Sequence, residues 1–145
     1  MGEKVLVVDD EFEIRDLLSR FLTEEGFEVI LASNGEEALE LAERENPQAI
    51  LLDIWMPGFS GIETCKRLKE NEKTRFIPVI VATALWDTYE EAVEAGAEDF
   101  VTKPFNLAEI SFRVKSILRV RYLNDELERA VAYIQELEKN RPKLS

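Results

Sequence analysis

Residues 49–61 read AILLDIWMPGFSG. Four apolar residues run without a break, then an aspartate, then a Pro-Gly turn. Such a run has no wet face. It reads as a strand buried on both sides, the kind found inside parallel sheets covered by helices. The pattern repeats outward from it. Apolar runs stand at Val5–Val8 (VLVV), Phe27–Leu31, Ala49–Leu52, Ile77–Ala82 (IPVIVA) and Phe100–Val101. Between them the spacing turns helical. Phe12, Leu17, Leu18, Phe21 and Leu22 form an apolar stripe that Gly26 stops. A second helix opens at Asn34 or Gly35, turns Ala38, Leu39 and Ala42 inward and closes at Asn46-Pro47. Ser60 precedes a third, with Ile62, Cys65 and Leu68 as its core side, and Cys65 is assigned no chemistry. A short fourth runs from about Thr88 to Ala95 and ends at Gly96; the fifth begins after Asn106 and continues for about 30 residues. Five β-then-α repeats predict an α/β fold with a doubly wound parallel sheet and helices on both faces.

Composition narrows the function. The 145 residues suit one domain, and 46% apolar with 33% charged residues describes a folded chain with a core of its own. No apolar stretch approaches the roughly 18 residues of a membrane span. Met1 to Asp10 lacks a signal-peptide layout, and Leu6 breaks the myristoylation pattern. The single cysteine cannot form an internal bridge. A cytoplasmic location is expected, with no membrane contact. Residues 1–118 carry 12 basic and 25 acidic residues, net −13, against 6 and 5, net +1, in residues 119–145. That balance disfavours direct nucleic-acid binding, which needs clustered Lys and Arg. Histidine is absent, which removes Ser-His-Asp and Cys-His catalysis, His-ligated zinc and a phosphohistidine carrier.

In a doubly wound sheet, ligands sit beyond the carboxyl ends of the strands. The residues there are Asp9 and Asp10 after the first strand, Asp53 after the third, Thr83 after the fourth and Lys103 after the fifth. Each alone has an ordinary use: a helix cap for Asp9-Asp10, a turn for Asp53, a loop for Lys103-Pro104, a strand end for Thr83. Their joint placement on one edge is the signal. Three carboxylates suit a hard divalent cation, and magnesium fits oxygen ligands best. An ammonium and a hydroxyl at the same edge suggest a phosphoryl group, and a carboxylate can itself accept one. Asp53, at the end of the middle strand and the start of a rigid turn, is the best-placed nucleophile.

With these residues in view, the chain resembles the receiver domain of bacterial two-component response regulators over residues 3 to about 118. The text that carries the resemblance is VLVVDDE at 5–11, LLDIWMPGFSG at 51–61, VATA at 81–84 and AGAEDFVTKPF at 95–105. The resemblance implies a flavodoxin-like sheet in the order 2-1-3-4-5. It implies Asp53 as phosphoacceptor, with Asp9, Asp10, Asp53 and the backbone carbonyl of Trp55 holding Mg2+. It further implies Thr83 as the switch hydroxyl, Lys103 as the phosphate-binding cation, Phe100 as the aromatic switch residue and a cis peptide at Lys103–Pro104. The partner would be a sensor histidine kinase. One departure stands out. Thr83 and Lys103 are 20 apart, about two fewer than the family usually allows, and the loss falls around Leu85–Glu94.

Beyond the receiver (1–118), residues 119–145 form a helical extension or linker. Val120, Leu123, Leu127, Ala130, Ile134 and Leu137 continue at three- and four-residue steps, an a/d stripe. The alternative is a helix whose apolar side folds back on its own domain. Two β-branched residues at a and two leucines at d favour a parallel two-stranded coil, so a homodimer through this helix is expected. Extensions of this type resemble linkers to an attached or separate output domain, with a cyclic-dinucleotide enzyme as one guess. The leading function is thus a phosphorylation-activated switch and not an enzyme, beyond assisting its own phosphorylation and dephosphorylation. A magnesium-dependent aspartyl-phosphate phosphohydrolase is an alternative, but those enzymes carry Asp-x-Asp where Asp9-Asp10 are adjacent. A phosphate-independent dimerisation module is another, but it would tolerate loss of Asp53, Thr83 or Lys103, and all three are present.

Overall fold

A computed structural model of the chain describes residues 2–56, 60–83 and 89–140. Strands and helices alternate: β1 (Lys4–Val8), α1 (Phe12–Glu24), β2 (Glu28–Ala32), α2 (Gly35–Glu45), β3 (Ala49–Asp53), α3 (Gly61–Glu70), β4 (Val79–Thr83), α4 (Tyr89–Glu94), β5 (Asp99–Thr102) and α5 (Leu107–Lys139). The five strands form one parallel sheet in the order β2-β1-β3-β4-β5. The expected doubly wound, flavodoxin-like topology is therefore the observed one.

The continuous apolar runs have a simple cause. Along β1, Leu6 and Val8 face one core, which they share with Ala38 and Ala42 of α2, Cys65 and Leu68 of α3 and Ala92 of α4. Val5 and Val7 face the other, with Leu18 and Leu22 of α1 and Ile110 and Val114 of α5. β3 and β4 divide their residues the same way, so both faces need apolar side chains. Edge strand β2 is only partly covered.

The helix boundaries follow local chemistry. Asn34 caps α2 by accepting from the Glu37 N–H at 2.8 Å, while the Glu37 carboxylate accepts from the Ser33 N–H at 2.9 Å. Asn46, at φ 47°, ends the same helix in the left-handed region that asparagine tolerates. Ser60 and Asn106 cap α3 and α5. The expected stripe of α1 needs correction. Phe12 is 70% and Leu17 44% exposed. At about 100° per residue, both lie some 100–120° away from the Leu18 direction. Ile14, absent from the expected stripe, joins Leu18, Phe21 and Leu22 on the buried side.

The expected start of the fourth helix near Thr88 lies outside the described residues, as does part of the shortened segment Leu85–Glu94. The described part of that helix is six residues long. α5 runs for 33 residues. Its contact with the sheet fades after Ile117 and Leu118, and among the described residues the Arg121 guanidinium, donating to the Gln48 carbonyl at 2.8 Å, makes the last hydrogen bond from the helix to the domain. From Tyr122 to Asn140 every residue is exposed, so the apolar stripe does not fold back.

Two measurements separate core from extension. Leu22→Ala, at a fully buried site, should lower unfolding free energy in urea by about 2–5 kcal/mol. Ending the chain after Tyr122 should change it by less than about 0.5 kcal/mol.

Candidate functional site

Parallel strands deliver their carboxyl ends to one edge, and the acidic residues gather there. Asp9 leaves β1 with its N–H donating to the Ala32 carbonyl at 3.1 Å. Its Oδ1 accepts from the Glu11 N–H at 2.9 Å and its carbonyl accepts from Arg15 Nη1 at 2.8 Å. The start of α1 thus holds Asp9 in place while it is only 1% exposed. Asp10 is exposed beside it. Asp53 closes β3 and is 2% exposed. One carboxylate oxygen from each of Asp9, Asp10 and Asp53 lies within 4.8 Å of the others.

Lys103 is the counter-charge. Its Nζ sits 3.0 Å from Asp53 Oδ1 and 3.5 Å from Asp9 Oδ2. The cis Lys103–Pro104 peptide lies directly after it, as the resemblance implied. The Lys103 N–H donates to the Thr83 carbonyl at 3.0 Å, which ties the ends of β4 and β5 together. Thr83 is buried. The Trp55 N–H donates to Asp53 Oδ1 at 3.3 Å, and the Trp55 side chain is exposed. Asp53 Oδ2 takes no hydrogen bond from the described residues, which leaves it as the oxygen open to chemistry.

The electrostatics are strained in a useful direction. Burial, foremost, pushes the Asp53 carboxyl above its ordinary range; the Lys103 hydrogen bond opposes this and the Asp9 charge adds to it. For Lys103, burial works against the charge, but the hydrogen bond and charge of Asp53, with those of Asp9, outweigh it and hold the ammonium above its usual value. Three carboxylates against one ammonium leave two negative charges. A hard divalent cation with oxygen ligands would cancel them, so the donor set fits magnesium.

Phe100 stands apart from this cluster. Its ring packs on Tyr89, the first residue of α4, with centroids 4.4 Å apart. Phe100 pairs with Val81 and lies on the α2–α4 side of the sheet. Strand alternation puts Thr83 on that same side, two residues beyond Val81. A route from the site edge to Phe100 and α4 is therefore short.

Four contributors escaped the sequence reading. Arg15 braces Asp9 from six residues away, a spacing with no motif of its own. Tyr89 needed the fold to bring it to Phe100. Phe105 lies under the Lys103 ammonium, 5.6 Å to the ring centroid. Gly61 was quoted within its motif but given no role. A Cβ there would fall 2.1 Å from the Asp53 carbonyl oxygen and 2.5 Å from Ile54 Cα. Its N–H donates to the Ile54 carbonyl at 2.8 Å, so only glycine lets α3 start this close to the acidic strand end.

The geometry matches known proteins. The family described as the response regulator receiver domain covers residues 5–115. "Alkaline phosphatase synthesis transcriptional regulatory protein PhoP" of Bacillus subtilis is 44% identical over 138 residues, 88% of this chain and 57% of that protein. A putative response regulator from Chloroflexus aurantiacus superimposes with a TM-score of 0.79 at 34% identity, covering 82% of this chain and 99% of that one. The receiver domain of the Pseudomonas aeruginosa sensor histidine kinase PA1611, with magnesium coordinated in its active-site cleft, has a TM-score of 0.76 at 29% identity, covering 81% of this chain and 98% of that one. The chain belongs to the response regulator receiver domain family of two-component signalling. It spans about half the length of the curated relatives it matches.

Because Asp53 is held ionised at a cost, Asp53→Asn should raise the thermal midpoint in chelator at neutral pH. As pH falls through the raised Asp53 pKa, the wild-type carboxyl gains its proton and the difference should shrink. Gly61→Ala should instead cost more than about 2 kcal/mol, since only backbone stands in the way. Thermal scans of both variants from pH 8 downward check these signs.

Proposed function

We propose that this chain is a phosphorylation-activated switch in which Asp53 accepts a phosphoryl group from the phosphohistidine of a partner sensor histidine kinase. The observation that carries the reading is the buried Asp53 carboxylate with one oxygen held by Lys103 and the other open, next to Asp9 and Asp10. Asp53 Oδ2 attacks phosphorus, a P–O bond forms and the P–N bond to the donor imidazole breaks. The imidazole leaves with the bonding pair and picks up a proton from solvent. Lys103 exchanges part of its contact with Asp53 for the phosphoryl oxygens, and the Thr83 hydroxyl donates to them. Asp9, Asp10, Asp53 and the Trp55 carbonyl would hold Mg2+, whose charge offsets the carboxylates and the incoming phosphate.

The product is a switch state and not a released compound, so the chain acts as a regulator and its chemistry serves its own modification. Movement of Thr83 toward the phosphate opens space on the side of the sheet where Phe100 and Tyr89 stack. The Phe100 ring turning inward would change the β5 and α4 surface and bias the start of α5. We place this exchange in the cytoplasm; among the described residues no helix is long and apolar enough to cross a membrane. The domains then divide as a receiver over 1–118 and a transmitting helix from 119, whose exposed apolar stripe supports homodimerisation. PhoP is named a transcriptional regulator, which favours transcriptional control over a cyclic-dinucleotide enzyme as the output. With net −13 over 1–118, the receiver itself would not contact nucleic acid.

Incubation with acetyl phosphate and magnesium should add roughly 80 Da to the wild type, and Asp53→Asn should add nothing, since the amide is no nucleophile. Undiminished mass gain in that variant would overturn the assignment. Magnesium should raise the thermal midpoint of the wild type by mass action. Asp10→Ala should shift that titration to higher metal and slow the mass gain. Thr83→Ala should still gain the mass, while Phe100 resonances in aromatic NMR should no longer shift on adding beryllofluoride.

A further inference from the structure

The free part of α5 is an apolar surface that the site does not use. Val120, Leu123, Leu127, Ile134 and Leu137 are each more than half exposed, and the helix from Tyr122 to Asn140 extends roughly 28 Å past the domain at 1.5 Å per residue. A two-stranded coil would cover this stripe, and the six positions decide how it is built.

In a parallel pair, a meets a and d meets d. Leu127 would face Leu127, but Ala130 would face Ala130 and leave a thin layer in the middle of the stripe. In an antiparallel pair, a meets d. Val120 then faces Leu137, Leu123 faces Ile134 and Leu127 faces Ala130, so every layer holds at least one large side chain. A parallel pair also places two domains of net −13 side by side. The antiparallel pair keeps them apart by about the length of the free helix, several Debye lengths at physiological salt. At the root of that helix a recess of about 770 Å³ is lined by Phe76, Pro78, Ile117 and Val120, with Glu98, Asp99, Asp125 and Glu128 around them. The 69% exposed Phe76 ring lies there, where Leu137 of a second copy would arrive against Val120.

We propose that a second copy of this chain covers the stripe in antiparallel orientation, with the end of each helix reaching the recess at the base of the other domain. This rests on the self-association proposed above and revises the parallel arrangement that the a and d preferences alone favoured. Its layers are self-complementary, as a two-fold pair requires.

Thiol pairing on the full-length chain tests orientation directly. Cys65 does not interfere: it is buried, its Sγ lies 3.5 Å from the Ala95 carbonyl oxygen, and burial pushes its thiol up to about 11. Under mild oxidation at high micromolar concentration, an equimolar mixture of Val120→Cys and Leu137→Cys chains should form a disulfide-linked dimer. Val120→Cys alone should stay unlinked. In sedimentation equilibrium, Leu127→Asp should weaken the dimer by more than about tenfold, while at concentrations where the wild type is monomeric the two thermal midpoints should agree, because Leu127 is exposed in its own chain. Self-linked Val120→Cys at the yield of the mixture would overturn the orientation and leave the homodimer standing. A wild type that sediments as a monomer, with and without acetyl phosphate and magnesium, would overturn both.

Discussion

The rest of the structure depends on one constraint: the Asp53 carboxyl sits at the end of a strand with almost no access to water, which disfavours its charged form. β3 is central and buried over its whole length, which is what makes its last residue so poorly solvated. Lys103 compensates through one oxygen, at 3.0 Å. Asp9, held by the Glu11 N–H, contributes a second buried negative charge. Three carboxylates against one lysine form a donor set that fits a divalent cation. A more relaxed Asp53, solvated or doubly paired, would have neither an open oxygen nor a reason to take a metal.

The same packing explains how a local charge change can travel. Thr83 and Phe100 share one side of the sheet, and Phe100 rests on Tyr89 at the start of a helix only six residues long in its described part. Interfaces of this kind have discrete arrangements, so a small shift at the edge can select between them. On the other face of the sheet, Val101 of β5 packs with Ile110 and Val114 of α5. That helix carries an exposed apolar stripe away from the domain.

Much of this was legible in the sequence. VLVV, AILL and IPVIVA announced buried parallel strands because each supplies two cores, and the polar residue after each run fell on the ligand edge. Asp9, Asp10, Asp53 and Lys103 could therefore be named before any geometry, and the structure brings them together. What was not legible depends on long-range packing. The α1 stripe was misjudged at Phe12 and Leu17 because apolar residues at helical spacing do not reveal which direction faces the sheet. Arg15, Tyr89 and Phe105 support the site through contacts that no sequence interval predicts. Gly61 was visible as a motif letter, but its reason, the backbone of Asp53 and Ile54 where a Cβ would go, is a fact of three dimensions. Self-association was read from heptads, and the antiparallel orientation proposed for it turns on the single thin layer at Ala130.

The central claim is that Asp53 alone carries the acyl phosphate. Borohydride reduces an aspartyl phosphate to homoserine, so the modified position can be read by peptide sequencing after treatment with acetyl phosphate and magnesium. The account predicts homoserine at position 53 and intact aspartate at Asp9 and Asp10. Homoserine at either of those positions, or none at position 53, would contradict it.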